Sequence, residues 1–142
     1  MKNNTGTILT LIAAFILLGF GLIYLLKTSF MPYHGAALSL QWDETPAPLQ
    51  FLILALMRAV AGGFLASAFA IFYLQYQFYK QNTAWIPLLI LCIGTIVMLG
   101  SLYAEFIVTD HTPGHPPITF TLVGELFLVT GYLFNQADTK KD

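Results

Sequence analysis

Charge is what this sequence has least of: six Lys and Arg and seven Asp and Glu in 142 residues, 9% of the chain, where a soluble domain carries about a quarter. The net charge of −1 offers no basic surface, so no nucleic-acid partner is expected. Cysteine is almost missing too. With Cys92 alone the chain can form no internal disulfide and no dithiol pair, which removes quinone-linked disulfide exchange. Between Leu91 and Ile93 its thiol lacks the electropositive setting that makes a cysteine reactive. No Gly-rich phosphate loop and no His-Glu-x-x-His pattern occurs, and Ser67 and Ser101 read as helix-packing residues rather than nucleophiles. No catalytic residue and no cofactor is therefore assigned.

Hydrophobic residues make up 57% of the chain. They gather in four runs, Ile8 to Leu26, Leu49 to Tyr79, Trp85 to Val108 and Ile118 to Phe134, each near or above the ~20 residues that cross a hydrocarbon core. The expected fold is all-α: an integral-membrane, antiparallel, left-handed four-helix transmembrane bundle. It forms a single domain over residues 1–142, with spans at about 8–27, 49–79, 84–108 and 118–135. The first run exceeds a signal-peptide h-region, and Lys27-Thr28-Ser29 gives no small-x-small cleavage site, so it is read as retained.

Lys2, Lys80, Lys140 and Lys141 flank the runs on one side and Lys27 alone on the other, which predicts cytoplasmic termini. The connections 28–48 and 109–117 then face outward and carry His34, His111 and His115 with Asp43, Glu44 and Asp110. The inner side has only the turn 80–84. Trp42 on one side and Tyr73, Tyr76, Tyr79 and Trp85 on the other fit interfacial belts. Met31 to Leu40, with Pro32 suited to a first turn, predicts a short helix in the outer loop, lying across the bundle mouth. Asp110 to Pro117, with three prolines and a glycine, must be a stiff turn.

Three charges fall inside the apolar runs: Arg58, Glu105 and Glu125. Intramembrane charges are functional candidates by default. At 1.5 Å per residue Arg58 lies roughly 13 Å below Leu49 and Glu125 about 12 Å below Pro117, so they match in depth counted from outside. Glu105 is shallower, on a face shared with Ser101, Met98 and Gly94. Gly62, Ala66 and Ala70, four apart, suggest that the Arg58 face of its helix points into protein. Arg58 paired with Glu125 or Glu105 would act as a helix clasp. Alternatively, one cation facing two carboxylates leaves a glutamate free to titrate or to take a cationic ligand. Metal is a weaker reading: His34, His111 and His115 are candidates by residue type alone, because Pro113 and Gly114 deny His111-x-x-x-His115 a helical geometry.

The segment Leu56-Met-Arg-Ala-Val-Ala-Gly-Gly-Phe-Leu-Ala, with Phe30-Met-Pro-Tyr-His in the first outer connection, resembles small, uncharacterised bacterial four-helix membrane proteins of the DoxX-like type. The resemblance implies a bacterial inner-membrane bundle, carries over Arg58, Tyr33 and His34, and brings no activity. Glu105 stands where such relatives are expected to have a small or polar residue. The functional expectation is a binding or structural subunit in preference to an enzyme, with an outward-facing polar pocket built from Arg58, Glu105, Glu125, Tyr33, His34 and Ser101. Its expected partners are membrane lipid and either a second copy or a larger membrane complex. The alternatives are a proton- or cation-coupled transporter acting as a dimer, and a membrane enzyme on a lipid-like substrate with Glu105 or Glu125 as acid and His34 as base.

Overall fold

The computed structural model describes residues 4–139, and among them there are helices and no strands. In chain order they are α1 (Thr5–Leu26), α2 (Pro32–Leu38), a 3-10 turn (Trp42–Glu44), α3 (Ala47–Gln81), α4 (Ile86–His111) and α5 (Ile118–Thr139). All seven prolines lie at helix boundaries. Pro32, Pro48 and Pro87 stand in first turns, where a missing N–H costs no helical bond. Pro113 stops α4 by forcing Thr112 to extended backbone, φ −143° and ψ 163°. That stop comes at His111, later than the span limit of 108, because Thr109 and Asp110 are polar enough to leave a bilayer yet still helical. Asn82 ends α3 in the left-handed region, φ 50°.

Four of the helices, α1, α3, α4 and α5, are long and apolar enough to cross a membrane. Only between 22% and 33% of the most apolar stretch of each is buried within the chain. The remaining surface, with Phe15, Phe51, Ile96 and Leu126 exposed on it, would need lipid to cover it. At 35 residues α3 is about 52 Å long, well beyond a ~30 Å hydrocarbon core, so it must tilt or protrude. Its last turns carry exposed Tyr73, Tyr76 and Tyr79, with the Lys80 ammonium 4.6 Å over the Tyr76 ring.

Helix α1 packs on α3 and α5, and α4 on α5 and α3, so each long helix has two neighbours. Ala13, Ala14 and Leu17 of α1 meet Phe64, Ala68 and Ile71 of α3, Ile90 and Met98 of α4 and Leu128 of α5 in the core. Glycines set the closest approaches: a Cβ at Gly94 would run into Leu128, one at Gly124 into Met98, and one at Gly131 into Thr10. The stripe Gly62, Ala66 and Ala70 does not do this. Gly62 and Ala66 are exposed, a Cβ at Gly62 meets nothing, and the inward face of α3 is Ala61, Phe64, Ala68 and Ile71. A helix apolar all round gives spacing but no phase, and the inward face lies on nearly the opposite side of α3 from the one the small residues suggest.

The end of the bundle opposite α2 holds a polar network that the sequence reading passed over. Gln75 Nε2 donates to Thr7 Oγ1 at 2.9 Å, and Asn135 Nδ2 reaches Gln75 Oε1 at 3.3 Å and Thr10 Oγ1 at 3.4 Å. Gln75, Asn135 and Thr10 are all buried. Lys2, Lys140 and Lys141, which carry most of the orientation argument, lie outside the described residues.

Candidate functional site: a cavity beneath α2

Helix α1 stops at Leu26, which leaves carbonyls of its last turn without helical N–H partners. Arg58, half-buried on α3, supplies them: Nη1 donates to the Tyr24 carbonyl at 2.5 Å and Nη2 to the Lys27 carbonyl at 2.6 Å. The planar guanidinium can serve two acceptors at once, and its charge sits at the negative end of α1. Arg58 is paired with neither Glu105 nor Glu125. Among the described residues the single acid–base contact is His111 Nδ1 to Asp110 Oδ2, 3.6 Å apart on the surface. Weighing side-chain charges alone overlooks a helix end, which offers partial negative charge without a carboxylate.

The two glutamates instead tie α4 to α5 through threonines. Glu105 Oε1 accepts from Thr121 Oγ1 at 2.8 Å, and Glu125 Oε1 accepts from Thr95 Oγ1 at 2.8 Å. Each helix thus gives one carboxyl and one hydroxyl. In both glutamates the second oxygen, Oε2, is buried without a hydrogen-bond partner. An acceptor left unpaired away from water is costly unless something completes it.

A cavity of about 400 Å³ lies beneath α2, within the range of small-molecule sites. Its walls are mainly apolar, with Leu17 and Phe20 of α1, Met57 and Phe64 of α3 and Met98 of α4 among them. The polar groups are Tyr24, Tyr33, His34, Ser101, Glu105 and Thr121. Tyr33, His34, Ser101 and Glu105 of the expected site therefore share one cavity, whereas Arg58 and Glu125 are not among its lining residues. Leu56, Val60 and Ala104 line the cavity and are also exposed on the outer surface of α3 and α4. The cavity is therefore open on the α3 and α4 side, toward the surface that lipid would cover, as well as beside Leu38 of α2, which lines it and is exposed too.

Helix α2 forms the roof. The Tyr33 and Tyr24 hydroxyls are hydrogen-bonded to each other, and the Tyr33 and His34 rings meet edge-on with centroids 4.3 Å apart. His34 Nδ1 accepts the Met31 N–H at 3.3 Å, which puts the proton of the neutral ring on Nε2. Burial pushes the His34 imidazole below its ordinary range. Burial, together with the Tyr24 hydroxyl and the nearby Glu105, holds the Tyr33 phenol far above its own. Both side chains are therefore neutral at neutral pH. From below, Gly114 packs against the Tyr33 carbonyl and Ala37 with no room for a Cβ.

His111 and His115 are exposed and His34 sits in the roof. Among the described residues no three His, Cys, Asp or Glu side chains gather where they could hold a metal ion. Tyr24 and Thr121 were missed in the sequence. The usable signal was Tyr24 itself, a phenol within an apolar run that requires a partner for its hydroxyl. No family model matches the chain, and neither does any curated protein or solved structure.

Proposed function

We propose that this chain is a multi-pass bacterial inner-membrane protein of the binding type, whose cavity takes up an amphiphile from the outer leaflet. In this reading the bundle is antiparallel, both termini are cytoplasmic and α2 covers the outer mouth. One observation carries it: Leu56, Val60 and Ala104 line an apolar cavity and are exposed on the helix surfaces that lipid would cover, while the polar groups of that cavity collect under α2. An alkyl chain would lie against Phe20, Phe64 and Met98 and a head group would rest near Tyr33, His34 and Glu105. The surplus of Lys2, Lys80, Lys140 and Lys141 over Lys27 supports the orientation. The DoxX-like motif around Arg58 supports the architecture.

The test is binding of a bilayer-partitioned fluorescent alkyl probe to the full chain in nanodiscs. Saturable binding near one probe per chain, lost when Ala104→Trp blocks the α3 and α4 side, is the expected result. Wild-type protein that shows no saturable component would overturn the reading.

A lipid-modifying enzyme is the second reading, favoured by His34 and Glu105 lining the same cavity. Turnover of an amphiphile in detergent, abolished by both His34→Gln and Glu105→Gln, would establish it. The transporter alternative drew on a cluster of Arg58 with the glutamates, and with Arg58 bound to α1 it has no comparable observation.

A further inference from the structure

We infer that the cavity discriminates by head-group charge, accepting single-chain amphiphiles with a cationic amine head and rejecting anionic ones; this rests on the amphiphile-binding reading above. The polar wall has its hydroxyl hydrogens already committed within the protein. Ser101 and Glu105 are one helical turn apart on α4, and Thr121 of α5 is bonded to Glu105, so the three form one patch. The Ser101 hydroxyl donates to the Val97 carbonyl at 2.9 Å, and the Thr121 hydroxyl donates to Glu105 Oε1 at 2.8 Å. Both protons are committed, and what these hydroxyls have left to offer is lone pairs.

Glu105, which lines the cavity, adds Oε2, an acceptor buried without a hydrogen-bond partner. The patch is thus an acceptor surface of three oxygen-bearing side chains. An ammonium, with three donors and no acceptor, is its complement.

No cation lines the wall beside this patch. Neither Lys nor Arg is among the lining residues, and Arg58, the nearest by sequence position to the wall residues Met57 and Val60, has its fork fixed on the Tyr24 and Lys27 carbonyls. The donors that remain are the His34 Nε2–H and one proton of the Tyr24–Tyr33 pair. They suit a hydroxyl or a neutral amine nitrogen as well as an anion, so they do not reverse the selection. A phosphate or carboxylate head would bring negative charge against Glu105 in a poorly solvated wall, with no lysine or arginine in the lining to pair with it. The apolar walls require the amine to carry an alkyl chain, and the opening on the α3 and α4 side lets it arrive through the bilayer.

The experiment is displacement of the alkyl probe from the full chain in zwitterionic nanodiscs by dodecylamine, dodecanol and dodecanoate, each corrected for its partition into lipid. Dodecylamine should displace at about tenfold lower concentration than dodecanol, the difference between a charge-assisted and a neutral hydrogen bond. Dodecanoate should be the weakest. Glu105→Gln should weaken the amine about tenfold more than the alcohol, and Ser101→Ala, which keeps the α4–α5 link, should narrow the same gap if Glu105→Gln does not fold. Dodecanoate equal to or better than dodecylamine would overturn the inference while leaving amphiphile binding intact. Failure of the probe itself to bind would remove the amphiphile-binding reading and this inference with it.

Discussion

Arg58 Nη1 lies 2.5 Å from the carbonyl oxygen of Tyr24, so the one arginine of the second apolar run caps the end of the first helix. Removing it strands two carbonyls that α1 cannot satisfy by itself. Arg58→Ala should lower the unfolding free energy in detergent by about 3–6 kcal/mol, the range for two hydrogen bonds from a charged donor. Arg58→Lys should recover part of this, because an ammonium lacks the planar fork. Combined with Glu125→Gln, the Arg58→Ala loss should be additive within about 0.5 kcal/mol. A coupling energy above about 1 kcal/mol would reinstate an arginine–glutamate clasp.

Two glycines that look alike in sequence should behave oppositely. At Gly131 a methyl group would meet both the Thr10 side chain and the α1 backbone, and backbone cannot rotate away. Gly131→Ala should cost about 1–3 kcal/mol as an overpacked contact. Gly62 faces outward with nothing near it, so Gly62→Ala should fall within about 0.5 kcal/mol of wild type. Thermal unfolding of the two variants side by side checks the assignment of the inward face of α3. A loss at Gly62 equal to that at Gly131 would show that the stripe is covered.

That contrast marks the limit of what was legible. Four long apolar helices, and a short one beginning at Pro32, follow from run length and proline position, because both act locally. Tyr33, His34, Ser101 and Glu105 were also within reach, since a roof helix and a helical face bring them to one end. The partners were not. Thr121 for Glu105, Thr95 for Glu125 and the α1 carbonyls for Arg58 depend on the rotation of each helix about its axis, and near-uniform apolarity conceals that rotation. Backbone carbonyls are also invisible to a census of side chains.

Gln75 and Asn135 illustrate the same point at the other end, where they bind each other and the first turns of α1. Gln75→Leu should take from the Asn135 amide one of its two partners and cost about 0.6–1.7 kcal/mol, from the average to the largest value found for hydrogen bonds between membrane helices. The double variant Gln75→Leu with Asn135→Leu should be less destabilised than the sum of the single losses, because two apolar replacements leave nothing unsatisfied between them. Chemical denaturation in mixed micelles gives all three values. Strict additivity would mean that the Asn135–Gln75 contact contributes nothing.

His34 makes the roof sensitive to pH, with a sign that follows from its burial. Its imidazole is held below the ordinary value of 6.5 by desolvation, so near and below that pH the unfolded chain binds more protons than the folded one. The stabilisation it gives is complete above 6.5 and is lost as the pH falls from there toward the folded value. The structural cause is local: protonation of Nδ1 removes the acceptor for the Met31 N–H at the start of α2. Of the titratable groups around it, Tyr33 stays protonated throughout this range, because burial raises its phenol, and Glu105 lines the cavity wall below. Amide exchange over α2, corrected for intrinsic rates, should therefore be faster at about pH 5.5 than at about pH 7.5. In His34→Gln the two should coincide. Slower exchange at the lower pH would mean that Glu105 captures the imidazolium and that the roof closes, rather than loosens, on acidification.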